Sequence, residues 1–74
     1  PGQRMDAAEE VDLLNRAIQA LPEPERGVIL LRHFSGMSFR EIAELMGTPL
    51  GTALARAHRG LARLRELMTT DGGR

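Results

Sequence analysis

Ser38-Phe39-Arg40-Glu41-Ile42-Ala43-Glu44-Leu45-Met46-Gly47-Thr48-Pro49-Leu50-Gly51-Thr52 is the stretch that decides the fold of this 74-residue chain. Ser38 and Glu41 have the Ser-x-x-Glu spacing of a capping box, in which each side chain satisfies a backbone donor that the first helical turn leaves orphaned. Ile42, Ala43, Leu45 and Met46 give the helix that follows an apolar side. Gly47 can adopt the left-handed conformation that ends a helix. Thr48 can cap the next helix, and Pro49 suits its first turn. A short helix, a glycine turn and a second helix make a helix-turn-helix, whose second helix commonly enters the DNA major groove. The same pattern also fits an ordinary corner between two packed helices.

Working outward, the downstream helix is expected over residues 50–68. At about 100° per residue, Leu50, Ala53, Leu54, Ala57, Leu61, Leu64 and Met68 share one face, and Thr52, Arg56, Arg59 and Arg63 share the other. Four arginines and no acid lie between Thr48 and Arg65. A cationic stripe on the second helix of a helix-turn-helix is an electrostatic footprint for phosphate, and its plainer alternative is a solvated face. Residues 69–74 are expected to form a flexible tail.

Upstream, Leu21-Pro22-Glu23-Pro24-Glu25-Arg26 breaks one helix and starts another, because proline is tolerated only in a first turn. The helix before it is expected over 6–21, with Ala7, Val11, Leu14, Ile18 and Leu21 as its stripe and Asp6 as its cap. Pro1 to Met5 form a frayed lead-in. The helix after it is expected over 23–34. Val28, Leu31 and Phe34 form its main stripe, widened by Ile29 and Leu30, so that it packs on more than one neighbour or meets a partner. Ser35-Gly36 ends it. The reading is therefore all-α: a small four-helix domain with a C-terminal helix-turn-helix, no wing, and one core containing Leu14, Ile18, Val28, Leu31, Ile42, Leu45, Ala57, Leu61 and Leu64.

Composition narrows the function. Residues 1–25 hold six acids against two arginines, a balance of −4, and residues 26–74 hold eight arginines against four acids, a balance of +4. An acidic front and a basic back imply two different surfaces, although an acidic helix face is also what solvation alone favours. Arginine is the only cation used besides histidine. Its planar fork suits phosphate and guanine edges. With no cysteine there is no disulfide, which fits a reducing compartment. No apolar run is long enough to span a membrane. His33 and His58 are the only histidines, too few for a metal site, and no cofactor is expected. No Ser, His and acid fall in a triad pattern, so no catalytic residue is assigned and the chain is not read as an enzyme. The two aromatics, Phe34 and Phe39, are too few for a base-stacking platform. A chain that begins at Pro1 reads as a piece excised from a longer protein.

From Leu21 to Leu67 the residues closely resemble region 4 of bacterial RNA polymerase sigma factors, in the extracytoplasmic-function group of the sigma-70 family. The Leu21-Pro22-Glu23-Pro24-Glu25-Arg26 opening, the apolar run Val28-Ile29-Leu30-Leu31-Arg32-His33-Phe34, the junction Gly36-Met37-Ser38-Phe39-Arg40-Glu41-Ile42-Ala43 and the turn Pro49-Leu50-Gly51-Thr52 carry the likeness. The resemblance implies a cytoplasmic bacterial protein that reads the minus-35 promoter element on double-stranded DNA through its last helix. It also implies docking on the flap tip of the polymerase β subunit, and often capture by an anti-sigma factor. The residues assigned to DNA are Thr52, Ala55, Arg56, His58, Arg59 and Arg63, and those assigned to a protein partner are Val28, Leu30, Leu31 and Phe34.

Two departures stand out. After Gly-Thr the family commonly has Val-Lys-Ser-Arg, where this chain has Ala53-Leu54-Ala55-Arg56. The family's base contacts come from positions matching Leu54, Ala55, His58 and Arg59, and the first two cannot hydrogen-bond a base edge. Two other readings remain: an interaction module on the same fold with little specific DNA affinity, and the output helix-turn-helix of a response regulator.

Overall fold

The computed structural model describes residues 7–73, with side chains through Thr69. Pro1 to Met5 and the Asp6 cap lie outside the described residues. Four helices follow in order: α1 (Ala7–Gln19), α2 (Glu23–His33), α3 (Phe39–Met46) and α4 (Leu50–Gly73). No strand occurs among the described residues. α4 is the spine, packing on each of the other three helices.

The turns form as their residues dictate. Ser38 Oγ accepts from the Glu41 N–H at 3.0 Å, and the Ser38 N–H donates to Glu41 Oε1 at 2.8 Å, which completes the capping box. Gly47 sits at φ 68°, ψ 35°. The Thr48 N–H donates to Ala43 O at 2.9 Å and the Gly47 N–H to Glu44 O at 3.2 Å, the bond pair of a Schellman ending. One expected cap does not form. The Thr48 hydroxyl has no hydrogen-bond partner. Instead the Pro49 carbonyl opens α4 by accepting from Thr52 and Ala53. At the start of α2 the Pro22 carbonyl likewise accepts from the Arg26 N–H at 2.9 Å. α4 also runs to Gly73 rather than ending at Met68. The Thr-Thr-Asp sequence after Met68 contains no proline to stop it.

The capping box gives a pH-dependent expectation. Hydrogen bonds from the Ser38 backbone and side chain hold the Glu41 carboxyl below its ordinary value. A depressed folded-state value means that the contribution is present above the unfolded-state value and is lost as pH falls through the folded one. Glu41→Gln should therefore flatten the acid limb of a stability-versus-pH curve relative to wild type. Ser38→Ala should lower stability by about 1 kcal/mol at neutral pH. Urea melts across the acid range check both.

The apolar residues divide into two clusters rather than one. Ala17, Ile18, Leu21, Ile29 and Leu64 join α1, α2 and the later part of α4, with Leu14, Leu30, Leu67 and Met68 packed against them. Val28, Ile42, Ala43, Ala53 and Ala57 join α2, α3 and the early part of α4, with Leu31, Met37, Phe39 and Met46 around them. Val28 and Ile29, adjacent on α2, point into different clusters. Arg32 ties the α2–α3 turn by donating to the Met37 carbonyl at 3.0 Å while stacking 4.7 Å from the Phe39 ring centroid.

Two expected core residues are not in the core. Leu45 is 64% exposed and Leu61 is 41% exposed. The buried strip of α4 is Ala53, Ala57, Gly60 and Leu64, rotated from the leucine-rich face that the wheel favours. The cause is close packing. A Cβ at Gly60 would stand 3.0 Å from Ile29 Cγ1, so the small residues face α2 and the bulkier Leu50, Leu54 and Leu61 are left on the flank. On α3 the buried residues are Ile42 and Ala43, with Met46 half-buried, and Leu45 turns outward.

Candidate nucleic-acid interface

α3, the Gly47 turn and α4 form the helix-turn-helix. With Ala53, Ala57, Gly60 and Leu64 facing inward, the opposite side of α4 presents Gly51, Ala55, His58 and Ala62. Ala55 is half-buried and the other three are exposed. Leu54, at 44% exposure, borders this face on one side and Arg59 borders it on the other. Of the four positions that the resemblance assigns to base contact, Ala55 and His58 thus lie on the outward side, and Leu54 and Arg59 flank it. Its small residues leave room for a close approach.

Thr52, Arg56, Arg59 and Arg63 do not lie opposite the core, as the wheel suggests, but along the flank of α4 next to α2. Thr52 and Arg56 are half-buried, whereas Arg59 and Arg63 are exposed. A buried acid explains their placement. Glu25, on α2, is only 6% exposed. Arg59 Nε donates to Glu25 Oε2 at 3.4 Å, and Arg63 Nε lies 2.9 Å from Oε1. The second contact is an ion pair by distance, but its N–H is not aimed well enough to count as a hydrogen bond to Oε1. From sequence, Glu25 has no role beyond the proline-rich opening and the acidic balance of residues 1–25. A signal was present: Leu21, Glu25, Val28 and Ile29 recur at helical spacing, which puts the carboxyl on the buried side.

The residues assigned to a protein partner separate. Val28 has no exposed surface, because it fills the cluster around Ile42, and it cannot meet a partner in this fold. Leu30 and Leu31 are half-buried, and Phe34 is 62% exposed. Phe34 borders an apolar groove of about 250 Å³ formed with Leu14, Ile18, His33 and Leu61. It lies on the flank of α4 away from Arg59 and Arg63. Val11, which the helical spacing puts in the inward stripe, is 54% exposed and faces solvent. Among the described residues, no group of three potential metal ligands comes together, and no helix is long and apolar enough to cross a membrane.

A four-helix domain ending in a capped helix-turn-helix, with arginines along its last helix, is a helix-turn-helix domain of nucleic-acid-binding type. The family model described as "Sigma-70, region 4" matches residues 12–64. The chain is 43% identical over 58 residues to an RNA polymerase sigma-E factor of Streptomyces antibioticus, covering 78% of this chain and 32% of the relative. It is 40% identical over 70 residues to the RNA polymerase sigma-E factor of Streptomyces coelicolor, covering 89% and 40%. It is 43% identical over 56 residues to the ECF RNA polymerase sigma factor RpoE of Cereibacter sphaeroides, covering 76% and 31%. The chain belongs to the sigma-70 region 4 family, in its extracytoplasmic-function group. It spans between about a third and two fifths of the length of these relatives.

Proposed function

We propose that this domain recognises the minus-35 element of a promoter through the outward face of α4 and docks on RNA polymerase to direct transcription initiation in the bacterial cytoplasm. The observation that supports this most is that Ala55 and His58 lie on the side of α4 opposite its buried strip, with Leu54 and Arg59 bordering them on either flank. His58 and Arg59 supply polar readout. Ala55 and Leu54 offer a thymine methyl an apolar contact, or no contact. The isolated domain then binds its element weakly and depends on polymerase tethering to raise the effective concentration. Selection from a randomised duplex library, followed by anisotropy titration of the enriched duplex and its scrambled form, tests the reading. One enriched motif bound more tightly than its scramble supports it, and an unenriched pool sinks it.

The departed positions supply a sharper check. Leu54 is 44% exposed, so replacing it leaves the core intact. Leu54→Lys with Ala55→Ser should tighten binding to a family-type minus-35 duplex by roughly 1–3 kcal/mol if one good base contact is restored. The scrambled duplex should gain less at the same salt. An equal gain on both duplexes would mean that only charge was added.

We infer that docking on the β flap tip uses the groove beside Phe34, because it is apolar and lies away from the arginine flank. An anti-sigma factor would compete for the same side. Phe34→Glu, at an exposed position, should leave the fold intact and abolish a flap-tip pull-down. An undiminished pull-down would move the docking surface elsewhere.

A further inference from the structure

The buried carboxyl between α2 and α4 is left unused by this reading. Among the described residues, Glu25 is the only buried one that carries a charge. It faces two arginines one helical turn apart, each engaged through Nε, and their side chains remain 55% and 54% exposed. A guanidinium held by its Nε edge keeps its terminal nitrogens for an outside acceptor, and that pair is the fork that matches guanine O6 and N7.

We propose that Glu25 is a positioning residue for DNA readout: its buried carboxyl holds Arg59, and Arg63 beside it, so that the Arg59 fork is preset toward the groove. The inference rests on the reading of α4 as a DNA-contacting helix. A free arginine loses much of its rotamer freedom when it binds a base edge, and one already held from behind loses less. The negative charge behind the pair also weakens its attraction for phosphate at large. Glu25 therefore favours discrimination over raw affinity. Base-edge contact carries sequence information and phosphate contact does not.

Glu25→Gln preserves shape and removes the charge. Binding of the chain to its enriched duplex and to the scramble, at matched salt and with the folded fraction confirmed by circular dichroism, should show the ratio of affinities falling at least about fivefold, the low end of what one bidentate base contact carries. Scrambled binding should be unchanged or tighter. In an Arg59→Ala background the same substitution should change the ratio by less than about twofold, because the two effects share one path. If Glu25→Gln weakens both duplexes equally, or lowers the ratio equally in the Arg59→Ala background, Glu25 acts only on the fold and the proposal fails. A second arm needs no DNA. The Arg59 Nε–H group, which donates to Glu25, should give a more slowly exchanging NMR signal in the wild-type chain than in Glu25→Gln. A signal equally fast-exchanging in both would remove the clamp itself. A slow signal together with an unenriched library would leave the clamp standing and overturn the DNA reading on which its role depends.

Discussion

Ile42→Ala should lower the unfolding free energy by about 2–5 kcal/mol, as large-to-small core substitutions do. Ile42 has no exposed surface and packs with Val28, Ala43, Ala53 and Ala57. Three of those neighbours are alanines, which have no side chain long enough to swing into the vacated space, so the cavity persists. A domain of this length has about 4–11 kcal/mol of stability in all, and the midpoint of a thermal melt should fall by roughly 10–30 °C. Leu61→Ala is the control. The sequence places Leu61 in the core, but at 41% exposure its truncation should cost only about 1 kcal/mol. Equal losses at the two positions would mean that α4 is rotated from the orientation described here.

Removing Arg56, Arg59 and Arg63 together should have the largest effect on DNA. Each phosphate neutralised contributes about 0.9 to the slope of log affinity against log salt. If each arginine neutralises one phosphate, the triple alanine variant should flatten the slope by about 2.7 units. An unchanged slope would mean that this flank never meets DNA. The variant should also lose about 1–3 kcal/mol of stability, because it leaves the Glu25 carboxyl buried without partners. This lies below the figure for a fully buried pair because both arginine side chains are more than half exposed to screening solvent. Adding Glu25→Gln should restore much of the stability without restoring the slope. The fourfold variant thus separates folding from binding.

Residues that act locally were legible in the sequence. Ser38 with Glu41 and the left-handed Gly47 fix the start and stop of α3 through bonds within a few residues, and the proline-rich opening fixes the start of α2. What the sequence did not reveal depends on which neighbour sits closest. Gly60 is featureless on a helical wheel, yet a Cβ there would stand 3.0 Å from Ile29 Cγ1, so α2 packs against it and Leu61 and Leu54 are left outward. Leu45 looks like core by hydropathy and is not, because α3 meets its neighbours through Ile42 and Ala43. Glu25 is ordinary by composition, and its importance appears only when Arg59 and Arg63 arrive from 34 and 38 residues further along the chain. The candidate site was legible in its residue types and less so in its geometry. The arginine stripe was expected opposite the core and instead lies beside α2.

Amide chemical-shift mapping on titration with the enriched duplex locates the surface that meets DNA. The largest shifts should fall on the outward side of α4, at Gly51, Ala55, His58, Arg59 and Ala62, with smaller ones at Arg56 and Arg63. The exposed acids Glu9, Glu10 and Asp12 on α1 should stay unmoved, because like charge keeps them from phosphate. Shifts concentrated on α1 and around Phe34, with α4 silent, would contradict the claim that α4 reads DNA.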